Sequence, residues 1–435
     1  MKNLFGTDGI RARMGDFPLT LQGLHTLGVV LGSWFCAQKK SRIIIATDTR
    51  NSATFCKYTL VSGLTQSPII LHDAGIVPTP VLHYLVQKYD YDYGIVITAS
   101  HNDATYNGIK IVTKEGKLSR DEQRSFESFS ESPAPQCDYA QLGQATYHPQ
   151  AFNLYQEGLD RHFHPNFLKN IKVVVDCAYG AWSYHAESIL KHFGAQVISI
   201  CSSGPNSIIN KDCGSLYPEK VRDAVLKNEA TIGFAFDGDG DRVVAVSKAG
   251  IIKDGDDILS LLIHHPRYKK NTHVIGTAMT NQGLADHLEQ YNKKLVRVSV
   301  GDAYVLNELK KENLTLGGEP SGHIITRDFS EGSDALFSAL RLLETMISTQ
   351  NFELNTFSKY PQELVNIPVT TKKDLDSQTF KTFLDEQAQI LEKSRIMIRY
   401  SGTEPVVRIL IEYNNQEDKE LVRTKLLPSL THYFV

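Results

Sequence analysis

The sequence predicts an α/β protein with three similar domains built on mixed or parallel sheets, followed by a smaller α+β domain. Two observations lead to this fold class. Along most of the chain, short apolar segments alternate with amphipathic segments of helical period, a pattern typical of parallel α/β layers. The length of 435 residues also predicts about three domains, with two to four all plausible.

The first predicted domain covers residues 1–150. Thr20 is a favourable helix N-cap, and apolar residues at positions 21, 24, 27, 31 and 35 have helical spacing. Strands are predicted at 43–47 and 94–98. Residues 130–144 are rich in Ser, Pro, Gln and acidic residues, so we interpret them as the linker to the next domain.

The second and third predicted domains, 151–252 and 253–362, repeat the strand-helix pattern. In the second domain we predict strands at 172–176, 196–201 and 231–236, and a helix at 182–193 that ends at Gly194. In the third domain we predict helices at 257–264, 282–290 and 303–312, with strands at 273–277 and 295–300.

The last predicted domain, 363–435, follows a second candidate linker at 348–361. Its strands are predicted at 365–370, 395–400 and 406–413, around two helical stretches. This order is typical of a small α+β unit.

Composition and charge exclude several classes of protein. Apolar residues make up 41% of the chain and charged residues 22%, with a net charge of -3. Because basic residues do not outnumber acidic ones, the composition argues against a protein that binds nucleic acids or anionic membranes in general. A local basic pocket is compatible with this composition. Because we find neither a membrane-spanning apolar stretch nor a signal peptide, we expect a cytoplasmic protein without nucleic-acid or membrane partners.

The six cysteines are scattered along the chain without a CxxC or paired-ligand spacing. This argues against a disulfide scaffold or a zinc ribbon, and buried free thiols are expected instead.

The first of four loops that carry chemistry has the sequence TASHN at residues 98–102, directly after an apolar strand. Strand ends in parallel sheets face the ligand crevice, so Ser100 can present its hydroxyl there, beside His101 and near Lys110. For this loop alone, the alternative is a structural serine in a strand-ending turn. The absence of a GxSxG elbow argues against an acyl-transfer hydrolase.

The second loop, DGDGDR at residues 237–242, is the strongest local signal. Asp237, Asp239 and Asp241 repel one another unless a cation lies among them, and the two glycines allow the backbone to bring them together. An EF-hand is excluded, because its sixth and twelfth positions would be Arg242 and Lys248. Mg²⁺ fits best, since it takes a few carboxylates and completes its shell with phosphate oxygen. A polar turn between strands is the alternative.

The third loop, GGEPSGH at residues 317–323, suits a sugar. Glu319 can accept hydrogen bonds from two vicinal hydroxyls, while Ser321 and His323 can donate or exchange a proton. A glycine-rich turn with a hydrogen-bonded histidine is the alternative.

The fourth loop, RYSGTEP at residues 399–405, suits an anion. Its arginine and hydroxyl side chains and the N–H groups of a glycine-bearing turn would together form a phosphate cradle. The residues concerned are Arg399, Ser401, Gly402, Thr403 and Arg408. A hairpin turn with surface arginines is the alternative. Taken together, the four loops are complementary parts of one reaction, phosphoryl transfer on a sugar phosphate.

Five motifs follow one another along nearly the whole chain: FGTDGIRA at residues 5–12, TASHN with NGIK, DGDGDR, GGEPSGHI and RYSGTEPVVR. In these motifs the chain resembles the α-D-phosphohexomutases, most closely those that interconvert glucosamine 6-phosphate and glucosamine 1-phosphate and so feed UDP-N-acetylglucosamine synthesis. The resemblance implies four domains around a central cleft, each contributing one loop. It also implies an isomerase that works through a phosphoserine at Ser100 and a hexosamine 1,6-bisphosphate.

The resemblance further implies roles for single residues. One Mg²⁺ would be held by Asp237, Asp239 and Asp241 together with the phosphoserine at Ser100. Sugar hydroxyls would be bound by Glu319 and Ser321, and the phosphate that does not react by the fourth loop. Lys110 and His323 are the candidates for proton transfer. The full catalytic set would be Ser100, Lys110, His101, Arg11, Arg242 and His323.

Some positions depart from the family pattern without removing a catalytic group, namely Ala12, Asp103, Tyr106, Ala303 and Pro320. The choice between glucosamine phosphate and the phosphates of glucose or mannose therefore stays open. Two rival functions also stay open, a sugar phosphatase and a non-catalytic sugar-phosphate sensor. Small sugar phosphates are the expected partners, and the protein would be a monomer or a homodimer.

Overall fold

The structure is a computed structural model. It describes residues 4–6, 8–131, 138–371, 373–388, 395–400, 406–413 and 416–434. In these ranges the strands form four sheets of seven, five, four and three strands. The first three sheets mix parallel and antiparallel pairs and are covered by helices, and the last is antiparallel. The predicted fold class is confirmed.

The first sheet has the strand order β1-β5-β4-β2-β3-β7, with β6 paired to β5. Strands β2, β3, β4 and β7 are parallel, whereas β1, β5 and β6 run antiparallel to their neighbours. Its strands are β1 (Ile10–Arg13), β2 (Arg42–Thr47), β3 (Ile70–Ile76), β4 (Tyr93–Ile97), β5 (Tyr106–Thr113), β6 (Gly116–Lys117) and β7 (Gln144–Tyr147). The helices in this part of the chain are α1 (Leu21–Ala37), α2 (Ala53–Leu64), α3 (Thr79–Lys88) and α4 (Arg120–Phe129).

Helix α1 begins where the sequence predicts. The Thr20 hydroxyl accepts a hydrogen bond from the Gly23 N–H at 3.0 Å, as expected of an N-cap. Helices α1 and α2 then pack unusually closely, because a Cβ atom at Gly28 would lie only 2.2 Å from the Leu60 carbonyl oxygen. Glycine is therefore required at this crossing.

The second sheet has the order β12-β11-β10-β8-β9, in which β8, β9 and β10 are parallel. Its strands are β8 (Lys172–Asp176), β9 (Gln196–Ile200), β10 (Ile232–Phe236), β11 (Val243–Ser247) and β12 (Ile252–Lys253). The accompanying helices are α5 (Ala151–Asp160), α6 (Ala186–His192) and α7 (Glu219–Asn228), with 3-10 turns at Ala181–Tyr184, Asn206–Ile208 and Gly214–Leu216.

The third sheet has the order β14-β13-β15-β16. Its strands are β13 (His273–Thr277), β14 (Lys294–Val298), β15 (Leu316–Gly318) and β16 (Ile324–Thr326). The helices are α8 (Gly255–Leu262), α9 (Gln282–Glu289), α10 (Asp302–Lys311) and α11 (Ala335–Thr349), with a 3-10 turn at Pro266–Tyr268.

The C-terminal sheet has the order β17-β19-β18. It consists of β17 (Gln362–Pro368), β18 (Arg395–Tyr400) and β19 (Val406–Glu412). The helices are α12 (Gln378–Ala388), α13 (Gln416–Leu421) and α14 (Leu427–Phe434), and a π-helical turn at Val422–Leu426 joins the last two.

The hydrophobic core is divided unevenly among these parts. The largest cluster of buried side chains joins residues from the first three domains, for example Val96 on β4, Phe234 on β10 and Leu340 on α11. The C-terminal sheet has a separate cluster, around Val407 and Ile409, whose members all come from its own elements. The first three domains are therefore joined by a common apolar core, and the last is not.

Three predictions about elements need correction. The predicted helix 182–193 is a 3-10 turn followed by α6, because His185 leaves the helical conformation, stacks on Phe152 and lies 3.2 Å from the Ile76 carbonyl oxygen. The predicted linker 130–144 includes residues 132–137, which lie outside the described ranges, and its last residue begins β7 in the first sheet. The second candidate linker, 348–361, overlaps the end of α11.

Among the described residues, none of the helices is long and apolar enough to cross a membrane.

Candidate active site

Ser100 lies in the turn that follows β4 and is fully buried. Its φ of 51° lies in the left-handed region, which is costly for a serine and must be held by its surroundings. Arg50 Nη2 and Asn210 Nδ2 donate hydrogen bonds to its carbonyl oxygen at 3.0 and 2.8 Å, and Thr98 Oγ1 accepts one from its N–H. The Ser100 hydroxyl is thereby fixed, and it donates to Asp237 Oδ2 at 2.7 Å.

The aspartate loop follows β10 and faces Ser100. Carboxylate oxygens of Asp237, Asp239 and Asp241 lie within 4.8 Å of one another, and all three side chains are buried. Gly240, at φ 77°, is needed for this turn, because a Cβ atom there would lie 2.2 Å from Trp182 Nε1. Burial, followed by the Asp241 and Asp239 charges, raises the pKa of Asp237 to about 7. The loop is therefore short of positive charge.

Lys110, on β5, partly compensates this charge. Its Nζ lies 2.8 Å from Asp239 Oδ2, 2.8 Å from Asp241 Oδ2 and 3.0 Å from Asp8 Oδ2. Burial alone would lower the pKa of Lys110, but these three carboxylates raise it well above its usual value. Lys110 is thus held as a cation, and Asp239 Oδ1 remains without a hydrogen-bond partner among the described residues.

His323, in the loop after β15, lies between two carboxylates. Its Nδ1 is 2.9 Å from Glu319 Oε2 and its Nε2 is 3.1 Å from Asp241 Oδ1. Burial, the largest single effect, would lower the pKa of His323, but the Asp241 charge and the hydrogen bonds to Asp241 and Glu319 together raise it to about 10. The other oxygen of Glu319, Oε1, accepts a hydrogen bond from the Gly301 N–H at 2.9 Å. Ser321 is exposed in the same turn.

His101 has the opposite electrostatic environment. Its Nδ1 lies 3.3 Å from Ser100 Oγ. Burial, followed by the charges of Arg242 and Arg11, lowers the pKa of His101 to about 3. The imidazole next to the serine hydroxyl is therefore neutral.

Two arginines complete the cluster. Arg11 donates to Asn102 Oδ1 at 3.0 Å and also to Asp8. Arg242 Nε lies 3.2 Å from His323 Nε2. The structure thus brings Ser100, His101, Lys110, Arg11, the three aspartates, Arg242, Glu319 and His323 into one cluster.

The fourth predicted loop is described only in part. Arg399 and Arg408 are cross-strand partners on β18 and β19. Burial, followed by the Arg408 charge, lowers the pKa of Arg399, as expected for a pair of like charges that an anion would stabilise. Ser401, Gly402 and Thr403 lie outside the described residues.

A cavity of about 550 Å³ extends from this cluster between the first and third sheets. Acidic and basic side chains line part of it, together with residues at the start of α10. These residues are Asp8, Lys110, Lys117, Gly301, Asp302 and Ala303. The volume is in the range of small-molecule sites.

The sequence did not single out several residues of this cluster. Lys117 bridges Asp8 and Asp302, the second contact at 2.8 Å. Thr79 Oγ1 donates to Asp239 Oδ2 at 2.5 Å. Asp8 lies in the FGTDGIRA motif, which by itself assigns it no role, whereas Thr79 and Lys117 carry no local signal, because their partners lie more than a hundred residues away.

Comparison with known proteins identifies the family. Four family models for the phosphoglucomutase/phosphomannomutase domains match the chain in order: domain I at residues 2–132, domain II at 154–250, domain III at 254–365 and the C-terminal domain at 364–428. The chain belongs to the phosphoglucomutase/phosphomannomutase family.

Members of this family resemble the chain over nearly its whole length. A phosphoglucosamine mutase from Acinetobacter baumannii is 38% identical over 427 residues, which cover 95% of each chain. The crystal structure of a phosphoglucomutase/phosphomannomutase family protein from Burkholderia thailandensis superposes with a TM-score of 0.84 at 22% identity and covers 99% of this chain and 97% of its own. An Aspergillus fumigatus N-acetylphosphoglucosamine mutase, solved with GlcNAc-6P and magnesium, gives a TM-score of 0.67 at 15% identity, covering 99% and 96%.

The family and these relatives confirm two predictions from the sequence. The chain resembles the phosphohexomutases because it is one, and it is an enzyme, an isomerase that transfers a phosphoryl group within its substrate. Its buried aspartate triad can hold a metal ion. The domain boundaries at 150, 252 and 362 remain predictions.

Proposed function

We propose that this enzyme interconverts glucosamine 6-phosphate and glucosamine 1-phosphate and so supplies UDP-N-acetylglucosamine synthesis. The observation that carries the mechanism is the 2.7 Å contact between the Ser100 hydroxyl and Asp237 inside a buried cluster of carboxylates and basic side chains. A serine held in this way suits phosphoryl transfer, in which positioning and charge stabilisation supply most of the catalysis.

In the proposed reaction, a phosphoryl group on Ser100 moves to a hydroxyl of the bound sugar phosphate. The bond from Ser100 Oγ to phosphorus breaks and a new sugar oxygen–phosphorus bond forms. The sugar hydroxyl gives up its proton and Ser100 Oγ gains one, so the products are a hexosamine 1,6-bisphosphate and a free serine hydroxyl. After this molecule turns over in the cleft, its other phosphoryl group returns to Ser100. No atom is lost, so the net reaction is an isomerisation.

The protonation states support distinct roles for three groups. Lys110 and His323 are both held as cations, so they can donate a proton or neutralise charge on the moving phosphoryl group. His101 is neutral and lies beside Ser100 Oγ, so it can accept a proton. Arg11 and Arg242 supply further positive charge around the same point.

The aspartate triad fits a Mg²⁺ ion. Its donors are all oxygens, and the buried Asp239 Oδ1 has no partner among the described residues. Burial and the charges of Asp241 and Asp239 raise the pKa of Asp237, and a bound cation would offset both effects. Asp237, Asp239 and Asp241, with the phosphate on Ser100, would hold the ion. Bound there, Mg²⁺ would withdraw charge from the phosphoryl oxygens.

The remaining site residues support substrate binding. Arg399 and Arg408, with Ser401, Gly402 and Thr403, would hold the phosphate that does not react. Glu319 and Ser321 would face the sugar. Each Glu319 oxygen has one partner in this structure, Gly301 for Oε1 and His323 for Oε2, and a second lone pair with which it can accept a hydrogen bond from a sugar hydroxyl.

The choice of glucosamine rests on the 38% identity to phosphoglucosamine mutases. It is tested by measuring kcat/KM for glucosamine, glucose and mannose phosphates with one preparation of phosphorylated enzyme. We expect a preference for glucosamine phosphate of at least about tenfold, the lower end of what one differing contact supplies. A preference for glucose or mannose phosphate would contradict the substrate and leave the mechanism intact.

The nucleophile is tested with Ser100→Ala and with Thr98→Ser as a neighbouring control. The first variant should lose all turnover and the phosphate mass on the intact protein, and the second should keep both. Retention of more than about a tenth of wild-type kcat in Ser100→Ala, a barrier change below about 1.4 kcal/mol, would contradict the assignment. Release of free phosphate without isomerisation would indicate the phosphatase instead.

A cytoplasmic location and a monomeric or homodimeric state remain predictions.

A further inference from the structure

A second group of metal-ligating side chains lies in the second domain, outside the catalytic cluster. It consists of Asp176 at the end of β8, Cys201 directly after β9, and Cys213 before the 3-10 turn at Gly214–Leu216. The two Sγ atoms and a carboxylate oxygen all lie within 4.8 Å of one another. Asp176 and Cys213 are fully buried, and Cys201 is half-buried. The cluster is thus enclosed but reachable from one side.

The carboxylate in this cluster is held in place by the backbone. The Ala178 N–H donates to Asp176 Oδ1 at 2.7 Å, and the Gly214 N–H donates to Oδ2 at 3.0 Å. Each carboxylate oxygen has a second lone pair, so Asp176 can still bind a ligand. Its orientation is fixed before any ligand arrives, which lowers the cost of binding.

The three side chains are partly or fully buried and hydrogen-bonded to one another. Burial raises the pKa of Asp176, and the hydrogen bond with Cys201, followed by burial, raises the pKa of Cys213. The pKa of Cys201 is lowered, mainly by the hydrogen bond that it accepts from Cys213. Lys220 is the nearby positive charge that acts on all three groups, and its effect is smaller than that of burial or of the neighbouring thiol. What favours a cation is the geometry: the two sulfur atoms and a carboxylate oxygen lie within 4.8 Å of one another at one enclosed point.

We propose that Asp176, Cys201 and Cys213 form a binding site for a borderline-soft divalent cation of the Zn²⁺ class. Each thiol would lose its proton to solvent as its sulfur–metal bond forms, so two protons are released for each ion bound. Two thiolates and one carboxylate are a donor set that Zn²⁺ accepts, with water from the side of Cys201 as the fourth ligand. The aspartate triad differs, because its oxygen-only donors suit a hard cation.

The site would stabilise a wall of the catalytic cluster. Cys201 and Cys213 lie at the two ends of the segment that carries Asn210. The Asn210 side chain donates to the carbonyl oxygens of Ser100 and Asn102 at 2.8 and 2.9 Å, and its N–H donates to the Ala178 carbonyl oxygen. An ion that joins both ends of this segment would restrict its motion and so keep the Ser100 turn in place.

The experiment uses the full-length, reduced protein without a polyhistidine tag, in saturating Mg²⁺ so that the aspartate triad is occupied. Cd²⁺ is titrated as the probe, and the thiolate-to-metal charge-transfer absorption is recorded. We expect one equivalent bound by two thiolates in the wild type, loss of at least about tenfold in affinity in Cys201→Ser, and unchanged binding in Cys36→Ser, which removes a half-buried thiol elsewhere. Asp239→Asn should also retain the Cd²⁺ site, since the triad is not involved.

A second measurement guards against misfolding of the variant. Zn²⁺ should raise the thermal midpoint of the wild type by several degrees, since at one hundred times Kd it would add about 2.7 kcal/mol of stability. Cys201→Ser should show the wild-type midpoint without Zn²⁺ and no rise with it. Any one of three outcomes would overturn the proposal. These are a Cd²⁺ absorption that persists unchanged in Cys201→Ser, a wild-type thermal midpoint that Zn²⁺ does not raise, and a Cys201–Cys213 disulfide that forms in place of metal binding.

Discussion

At the scale of single residues, Lys110 contacts the same carboxylate oxygens that would hold a metal ion. Its Nζ is 2.8 Å from both Asp239 Oδ2 and Asp241 Oδ2. Two cations near the same carboxylates repel each other, and the repulsion is strong in a buried site. In the proposed mechanism Lys110 would therefore have two effects: it would help the reaction and weaken Mg²⁺ binding.

We predict that Lys110→Met lowers the Kd for Mg²⁺ by at least about threefold and lowers kcat by at least about a hundredfold. Calorimetric titration and a coupled assay measure the two quantities. Lys57→Met is the matched control. It removes a largely buried ion pair with Asp73 in the same domain, and this pair belongs to neither the Ser100 loop nor the aspartate loop. Asp239→Asn should weaken Mg²⁺ binding and lower activity together. Weaker Mg²⁺ binding in Lys110→Met than in the wild type would contradict the idea that Lys110 and Mg²⁺ compete for the same carboxylates.

The buried side chain of His83 makes the stability of the folded protein depend on pH. It is almost fully buried at the edge of the cavity, and its Nδ1 has no hydrogen-bond partner among the described residues. Burial, followed by the Lys117 charge, lowers the pKa of His83 to about 4. Below pH ~6.5 the unfolded chain binds a proton that the folded protein does not, so stability falls as the pH drops from about 6.5 to about 4.

We predict that His83→Gln removes up to about 3 kcal/mol of the stability loss between pH 7 and pH 4, since glutamine does not titrate. Urea unfolding at several pH values measures it. The difference between variant and wild type at pH 8, where the histidine is neutral in both states, gives the packing cost and serves as the internal control. Parallel stability curves for the two proteins below pH 6.5 would show that His83 titrates normally.

At the scale of secondary-structure elements, helix α11 depends on a cap that also joins two domains. Asp334 Oδ1 accepts a hydrogen bond from the Phe337 N–H at 2.9 Å, and Oδ2 accepts one from the Tyr155 hydroxyl of α5 at 2.8 Å. Both side chains are buried. Removing the carboxylate therefore loses a helix cap and leaves a buried hydroxyl without its partner.

We predict that Asp334→Ala lowers the free energy of unfolding by about 2–4 kcal/mol. The comparison is Ser119→Ala, which removes the exposed cap of α4 and should cost only about 1 kcal/mol. Adding Tyr155→Phe to Asp334→Ala should recover part of the loss, because the orphaned hydroxyl disappears. Equal losses in Asp334→Ala and Ser119→Ala would mean that the interdomain hydrogen bond contributes nothing.

The elements also show how far the sequence predicts this molecule. Residues grouped in one loop, such as Asp237, Asp239 and Asp241, were predictable because their spacing alone implies convergence. The strands at 172–176, 273–277 and 395–400 match the observed ones residue for residue, since each is a short, bounded apolar or alternating run. Thr79 was not predictable, because its partner Asp239 is brought to it only by packing of two domains.

Local sequence likewise failed where tertiary contacts decide the backbone. His185 interrupts the predicted helix because its ring stacks on Phe152 from another element. Asp176, Cys201 and Cys213 have no ligand-like spacing, yet the parallel strands β8 and β9 end side by side and bring Asp176 and Cys201 together. The hydrogen bond from the Gly214 N–H to Asp176 holds Cys213 beside them. Such arrangements follow from sheet order, which a single sequence does not specify.

At the scale of the whole molecule, the C-terminal domain is joined to the rest by polar contacts. Arg395 donates to the carbonyl oxygens of Ala278 and Thr280 at 2.6 and 2.9 Å, and Glu412 accepts from the Gln282 N–H at 3.3 Å. Its apolar cluster is separate from the large one that joins the first three domains. A domain joined in this way is expected to unfold, and to move, as a unit of its own.

The two tryptophans allow this expectation to be tested. Trp34 lies in the apolar cluster of the first sheet and Trp182 in the cluster shared by the first three domains, and the chain has only these two. Tryptophan fluorescence therefore reports unfolding of the first three domains, whereas far-ultraviolet circular dichroism reports every helix and strand. Ile409, fully buried on the central strand of the C-terminal sheet, is the residue to change.

We predict that urea unfolding monitored by circular dichroism shows an additional transition that is absent from the fluorescence curve. Ile409→Ala should lower the midpoint of this transition only. The substitution should cost about 2–5 kcal/mol within the C-terminal domain, the usual range for a large-to-small change in a core. Leu340→Ala, in the large cluster, is the converse control and should move the fluorescence midpoint. If Ile409→Ala moved the fluorescence midpoint as far as the dichroism midpoint, the polar contacts of Arg395 and Glu412 would be strong enough to make all four domains unfold together. The expectation that the last domain unfolds and moves as a separate unit would then have to be abandoned.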